Sequence, residues 1–300
     1  MGYFDAAARG TFKLSHSNDI DLDAHVIDEC IDNVISESES KESDNEYCVT
    51  KKELMNVDLS SFKPQYELNP KIWINDKLNS RVRLRLLDIA DDFIETLRVG
   101  WVEPTDIILT GSLANFNWSK YSDFDVHVVI DFNKVDDRTE FVKDYFDAKK
   151  NDWNNKHDNL KIYGFPVELY VQDSNEEHTA SGIYSLEQND WLIKPQRGNI
   201  HPIKLDKYYI KEKVLKYANI ISKLKKKIES ETDAHIIYEY GDKVKSIFDK
   251  LKGLRKDALR SGNEMSPNNI LYKALRRLGY IDMLLDLKAK TYDRLKSIEK

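Results

Sequence analysis

A strand, a tight turn and a second strand within residues 107–130 constrain the fold of this chain more than any other feature. Residues 107–109 are Ile-Ile-Leu, which is typical of a buried strand, and Gly111 and Ser112 form the tight turn that leaves it. Residues 122–130 then alternate between polar and apolar side chains, which predicts the second strand. The chain is therefore expected to build a β-sheet here.

The second predicted strand carries two carboxylates on one face. Asp123 and Asp125 are two residues apart, and successive side chains of a strand point to opposite faces. Both carboxylates consequently share a face that could bind a cation, whereas Phe124 and Val126 point into a core. His127 continues the acidic face. Because Mg²⁺ prefers oxygen ligands, packing beside the site is the favoured interpretation of this histidine.

A third carboxylate is predicted on a later strand. Residues 165–171 are rich in β-branched and aromatic side chains, and Glu168 is the carboxylate among them. A carboxylate flanked by Val167 and Leu169 is costly to bury unless it meets a cation or another partner. Glu168 is therefore the predicted third member of the acidic site.

The Gly-Ser turn, the short spacer, the acidic-x-acidic strand and the later carboxylate together resemble the nucleotidyltransferase superfamily of the DNA polymerase beta type. The resemblance covers residues 70–195. It implies an α+β fold, in which a small mixed β-sheet core is packed with helices and followed by an all-helical C-terminal domain. The chain departs from the family in its third acid, which is Glu where Asp is the commoner residue.

The resemblance also implies a reaction. Asp123, Asp125 and Glu168 would be the catalytic residues and would hold Mg²⁺ or Mn²⁺, with an NTP such as ATP as the substrate. Two such ions stabilise the attacking and leaving oxygens of an in-line displacement. A nucleoside monophosphate would pass to an acceptor hydroxyl with release of pyrophosphate. The acceptor stays open among an RNA end, a nucleotide, a small molecule and a protein side chain.

Candidates for phosphate binding lie in the turn and in nearby loops. Gly111 allows the backbone to approach phosphate oxygens, and Ser112 offers its hydroxyl and amide. Lysines that could complete the phosphate site, each favoured as an ordinary surface charge, are Lys120, Lys194, Lys204 and Lys207.

Candidates for base and acceptor contacts are less specific. Tyr184 and Ser185 are predicted to stack on a base and to reach a phosphate, with packing of Tyr184 in the core as an equal alternative. Asn115, Asn117 and Trp118 lie in the spacer loop, where a structural role and a ligand contact are equal alternatives.

Helical periodicity surrounds the predicted strands. Asn69-Pro70 is the predicted start of a helix that ends near Gly100, and residues 135–153 predict another amphipathic helix. Beyond Pro202, three long helices are predicted at 208–228, 234–259 and 268–298. These segments define three predicted regions: a leader at 1–65, a nucleotidyltransferase core at 66–200 and a helical domain at 201–300.

Charge is distributed unevenly along the chain, whose net charge is -6. Residues 1–60 hold 5 Lys/Arg against 14 Asp/Glu, whereas residues 201–300 hold 24 against 14. The helical domain could bind a polynucleotide acceptor, although exposed faces of a helix bundle are the favoured interpretation of its basic residues. Those residues are Lys223, Lys225, Lys226, Lys227, Arg255, Lys256, Arg276 and Arg277.

The acidic leader contains a polar low-complexity stretch at 36–44, which favours a flexible linker over a segment that docks on the active site. A short helix at 24–35 is predicted before it. Cys30 and Cys48 lack the spacing of a zinc site, and nothing in the sequence is long and apolar enough for a membrane helix. A soluble protein of a reducing compartment, the cytoplasm, is the expectation, with no membrane partner.

Two other functions remain open from the sequence. A catalytically silent nucleotide-binding or scaffold protein could keep the same fold. A nucleic-acid-binding module could act through the basic helices, and its binding would survive loss of Asp123 and Asp125.

Overall fold

A six-stranded mixed sheet positions the candidate site in this computed structural model, which describes residues 57–178, 180–197, 206–260 and 265–298. The strands run in the order β5-β6-β4-β3-β7-β8 across the sheet, and a separate two-stranded hairpin, β1-β2, precedes them. The strand bounds are β1 Trp73–Ile74, β2 Lys77–Leu78, β3 Asp106–Thr110, β4 Phe124–Ile130, β5 Lys161–Ile162, β6 Phe165–Asp173, β7 Ile183–Ser185 and β8 Asp190–Ile193.

The central strands have the burial that their sequences predict. All five residues of β3 are buried, and Phe124, Val126 and Val128 on the inner face of β4 are fully inaccessible to solvent. β4 pairs antiparallel with β3 and parallel with β6. The parallel pairing sets Asp125 directly opposite Glu168.

The first helix begins later than its apolar period predicts. Helix α1 is Ser80–Leu97, and Asn79 caps it by accepting a hydrogen bond from the Arg81 amide. The predicted start at Asn69-Pro70 was wrong, because the segment before Ser80 forms the β1-β2 hairpin. Asn75 and Asp76 both have positive φ, at 50° and 62°. Two residues of this conformation make the tight turn that suits a two-residue hairpin loop, and they interrupt the helical period.

The helical segment after β4 is divided into a short helix, α2 (Phe132–Val135), and a long one, α3 (Thr139–Lys156). Helix α3 packs against both α1 and β6. Phe146 from α3 and Phe93 from α1 join the inner face of β4 in the main hydrophobic core. The strands that carry the carboxylates are therefore supported from behind by a continuous apolar layer.

The C-terminal part is helical. Helix α4 is Lys207–Ser230, α5 is Ala234–Arg260, α6 is Pro267–Arg277 and α7 is Tyr280–Lys296. Helices α4, α5 and α6 begin within one residue of the predicted starts at 208, 234 and 268. The third predicted helix is thus two helices. Gly279 adopts a φ of 80°, a left-handed conformation that interrupts the helix and is natural for glycine.

The described structure is a mixed α+β fold with a helical C-terminal region, as the sequence predicts. Its residues belong to one compact unit. None of the described helices combines the length and apolar character needed to cross a bilayer. The predicted helix at 24–35, the linker at 36–44 and both cysteines lie outside the described residues.

Candidate metal centre and its basic wall

Three carboxylates meet at one end of the β4-β6 pair. Asp123, Asp125 and Glu168 each offer an oxygen that lies within 4.8 Å of the oxygens offered by the other two. All three side chains are partly exposed. The structure therefore brings the three predicted acidic residues together where a ligand can reach them.

The sequence pattern explains this meeting. Asp125 lies on β4 and Glu168 on β6 in direct register, and Asp123 precedes β4 by one residue. The strand alternation turns all three carboxylates away from the core formed by Phe124 and Val126.

Gly111 lies against Asp125 so closely that no other residue fits. A Cβ added to Gly111 would lie 1.8 Å from Asp125 Oδ2, and the φ of Gly111 is 73°. Both the space and the backbone conformation therefore require glycine. The next residue, Ser112, begins a short 3₁₀ turn. Its hydroxyl donates to Ser122 Oγ at 2.7 Å, which ties the turn to the residue before Asp123.

The carboxylates repel one another. Burial and the nearby Glu168 raise the pKa of Asp123, and burial together with Asp123 and Glu168 raises the pKa of Asp125 well above its usual range. Arg276 and Lys273 oppose the increase in both pKa values. A bound multivalent cation would offset the repulsion between these carboxylates.

The donor set fits a divalent ion of the magnesium type. Carboxylate oxygens are the ligands that Mg²⁺ and Mn²⁺ prefer, and the shared face lets more than one carboxylate reach the same ion. The rigid strands and the tight Gly111 contact hold Asp125 in place.

A cleft of about 380 Å³ opens beside Asp123 and Ser112. One wall comes from α6, which is separated from the last strand of the sheet by the two long helices α4 and α5. The cleft is lined by five cationic side chains, which we call the basic wall: Lys120, Lys161, Lys273, Arg276 and Arg277. Asp123 of the acidic cluster and the basic wall thus line one cleft, which suits a ligand that combines cations with an anionic group.

Arg277 fastens α6 to the rest of the cleft. Its guanidinium lies 4.1 Å from the ring centroid of Phe62 and 4.2 Å from that of Tyr121, and it donates to Ser61 Oγ at 2.8 Å. Burial lowers the pKa of Arg277 from its usual value. Arg277 therefore joins α6 to the spacer loop and to the segment around residue 61.

A second layer of polar side chains lies behind the carboxylates on the same two strands. Tyr170 donates its hydroxyl to Glu168 Oε2 at 2.5 Å, and its ring stacks on His127 with centroids 4.8 Å apart. His127 Nδ1 lies 3.0 Å from Gln172 Oε1. Burial lowers the pKa of His127 to about 4, and burial with the nearby carboxylates raises that of Tyr170. His127 therefore packs beside the acidic cluster.

The structure does not bring Tyr184 and Ser185 to the cleft, so their predicted contacts with a nucleotide need correction. Tyr184 is fully buried between Trp73 and Trp191, with ring centroids 5.1 Å from each. Ser185 is also fully buried and donates to Asp106 Oδ1 at 2.8 Å. The alternative of core packing is the correct one for Tyr184, because an inaccessible ring has no face to offer a base.

The other lysine candidates divide between the cleft and the surface. Lys120 lines the cleft and lies 3.6 Å from Asp58. Lys194 pairs with Asp76 at 2.6 Å and does not line the cleft. Lys207 begins α4 with an exposed side chain, and Lys204 lies outside the described residues.

Among the spacer residues, Asn117 lines the cleft, whereas the other two have structural contacts. Asn115 is buried and donates to Ser181 Oγ at 2.6 Å, and Trp118 donates its indole N–H to the Glu67 carbonyl at 2.8 Å. The loop is thus held by Asn115 and Trp118, and Asn117 remains the candidate for a ligand contact.

Sequence reasoning missed Lys161 and Lys273, and it placed Arg276 and Arg277 in a general basic surface. The available signal was the spacing of Lys273, Arg276 and Arg277, which share one side of a helix at intervals of three and four residues. That spacing does not reveal which strand the helix faces.

No protein-family model, curated protein or solved structure matches this chain. The likeness to nucleotidyltransferases therefore stays a prediction that depends on the residues described above.

Proposed function

We propose that this protein is a metal-dependent nucleotidyltransferase that moves a nucleoside monophosphate from an NTP to an acceptor hydroxyl. The observation that carries the proposal is the meeting of Asp123, Asp125 and Glu168 beside the Gly111-Ser112 turn, opposite the basic wall. A triphosphate that carries divalent cations matches both sides of such a cleft.

The carboxylates would hold Mg²⁺ or Mn²⁺, which when bound neutralises charge on the reacting phosphate and lowers the pKa of a coordinated hydroxyl. Asp123 and Asp125 would hold the ions, and Glu168 lies across the strand pair from Asp125. Glu168 would also accept the proton of the acceptor hydroxyl. Ser112 and its turn would orient the phosphates.

The basic wall would hold the anionic leaving group. Lys273 and Arg276 act on the same carboxylates electrostatically, so both lie near the reacting centre. In the reaction a bond forms between the acceptor oxygen and the α-phosphorus, and the bond from the α-phosphorus to the bridging oxygen of the β-phosphate breaks. The leaving electron pair and charge then reside on pyrophosphate, where cations stabilise them.

The acceptor is open among an RNA end, a nucleotide, a small molecule and a protein side chain. We place the reaction in the cytoplasm, where NTPs and Mg²⁺ are plentiful.

The test is transfer of label from each of the four NTPs labelled at the α-phosphate, with Mg²⁺ or Mn²⁺ and separate pools of RNA, nucleotides and proteins. An Asp125→Asn variant, which keeps the size of the side chain, is the matched control. We expect labelled product from one pool with the unaltered chain and a loss of at least a hundredfold with the variant, on the order of magnitude expected for a metal ligand. Absence of label with every NTP would contradict the proposal.

A further inference from the structure

We infer that Tyr170 is a positioning residue, which holds the Glu168 carboxylate in place for binding a divalent cation. The inference rests on the proposed function, because it assigns a task within the same metal site.

The hydroxyl of Tyr170 is hydrogen-bonded to the carboxylate of Glu168, the metal ligand that it would position. Tyr170 and Glu168 are two residues apart on β6 and therefore share a face, and the hydroxyl donates to Glu168 Oε2 at 2.5 Å. A glutamate side chain has several rotatable bonds and loses their freedom when it is fixed. A hydrogen bond to one oxygen restricts those bonds before any ligand arrives.

The tyrosine ring is itself held from two sides. His127 stacks on it at 4.8 Å with an interplanar angle of 26°, and Lys150 Nζ lies 5.2 Å from its centroid. His127 is held through its contact with Gln172, and Gln172 Nε2 lies 3.1 Å from His178 Nδ1. The hydroxyl therefore belongs to a packed layer of side chains that restricts its position.

This arrangement distinguishes Glu168 from a carboxylate that only shares a strand face with the aspartates. Partners that hydrogen-bond to a metal ligand orient it, and their removal typically weakens metal binding about 10- to 100-fold. Substitution of Tyr170 by Phe removes the hydroxyl and keeps the ring and its stacking on His127. Glu168 would then sample rotamers that point away from Asp123 and Asp125.

The experiment measures Mn²⁺ binding to the full chain by isothermal titration calorimetry, without nucleotide and with a nonhydrolysable NTP analogue. We expect Tyr170→Phe to raise the Kd for Mn²⁺ about tenfold. The matched control is Tyr145→Phe, which removes a tyrosine hydroxyl bonded to the Leu97 carbonyl at 2.8 Å. We expect the control to leave the Kd unchanged, and thermal unfolding of both variants checks that they are folded.

A double substitution separates positioning from a general loss of packing. In a Glu168→Gln background the ligand is already impaired, so adding Tyr170→Phe is expected to change the Kd for Mn²⁺ by less than about twofold. A similar tenfold loss in both backgrounds would overturn the inference, because Tyr170 would then act other than through Glu168. If Tyr170→Phe is unfolded under the assay conditions, the titrations are repeated at a lower temperature at which the variant is folded, and the same rise in Kd is expected.

The outcomes distinguish this inference from the proposed function. Equal Mn²⁺ binding and equal nucleotidyl transfer by the unaltered chain and Tyr170→Phe would overturn the positioning role alone. Failure of the unaltered chain to bind Mn²⁺, with or without the analogue, would overturn both.

Discussion

At Gly111, both the available space and the backbone conformation require a glycine. Substitution by Ala would place a Cβ 1.8 Å from Asp125 Oδ2 at a φ of 73°, so either the turn or the carboxylate must move. We expect Gly111→Ala to lower the free energy of unfolding by about 2 kcal/mol or more and to abolish divalent-cation binding. Urea denaturation and Mn²⁺ titration measure the two effects.

The chain offers a matched glycine for comparison. Gly253 lies within helix α5, and a Cβ added there would meet nothing within 4 Å. Gly253→Ala is therefore expected to raise the free energy of unfolding by about 0.5 to 1 kcal/mol and to leave cation binding unchanged. If both substitutions had the same effect, the close contact with Asp125 would not be the cause.

His127 gives the protein a pH-dependent stability. Its pKa in the folded chain is about 4, below the ordinary value of 6.5, so between these pH values the unfolded chain binds more protons. The stabilisation is present above pH 6.5 and is lost as the pH falls towards 4. The effect has an upper limit of about 3 kcal/mol.

The pH effect is tested with His127→Asn. This side chain retains a hydrogen-bond donor for Gln172 but does not titrate. Urea denaturation of both chains between pH 4 and 7 gives the difference in free energy of unfolding, in which the contributions of the carboxylates cancel to first order. We expect the advantage of His127 to diminish as the pH falls. A constant difference would mean that the folded histidine titrates normally.

At the scale of elements, helix α6 makes one wall of the cleft and supplies positive charge to it. Arg276 opposes the raised pKa of Asp123 and Asp125, so it repels a metal cation and attracts a triphosphate. We expect Arg276→Gln to tighten Mn²⁺ binding and to weaken NTP binding, each by about fivefold or less because the side chain is exposed. Equilibrium titration of each ligand alone measures the two changes.

The control for this prediction is Lys256→Gln on α5, which removes an exposed cation that does not line the cleft. It is expected to leave both affinities unchanged. Changes of the same sign for Mn²⁺ and NTP in Arg276→Gln would contradict the placement of Arg276 beside the carboxylates.

Element boundaries could be predicted where a local signal decides them. Ser266-Pro267 predicts the start of α6, where the Ser266 hydroxyl accepts from the Asn269 amide. The start of α1 was mistaken, because an apolar period continued through the Asn75-Asp76 turn. The interruption at Gly279 was also missed, since an isolated glycine is compatible with a helix interior unless its neighbours turn the chain.

At the scale of the whole molecule, strand alternation and register account for what could be predicted about the site. Asp123 and Asp125 share a face by local geometry, and Glu168 joins them through the parallel pairing of β4 with β6. The basic wall could not be predicted in this way, because packing determines which helix faces which strand end. Tyr184 illustrates the same limit, since a tyrosine between Ile183 and Ser185 looks identical in sequence whether it packs inward or outward.

The whole-molecule contacts also give a prediction about truncation. Val57 and Leu59 are buried, and Ser61 and Phe62 contact Arg277 on α6. A chain that begins at residue 66, the predicted start of the core, should therefore be less stable than one that begins at residue 57. We expect a difference on the order of 3 kcal/mol in the free energy of unfolding, measured in urea. Equal stability would show that residues 57–65 contribute little to the fold.

The junction at Arg277 has a consequence for protein synthesis. The carboxylates leave the ribosome well before Lys273, Arg276 and Arg277, and Arg277 must then find Phe62 and Tyr121, which are synthesised much earlier. A nascent chain that has made only the sheet carries its acidic cluster without the opposing cations. Nucleotide affinity should consequently appear late in synthesis, so the chain would contain its own delay against acting before the cleft is complete.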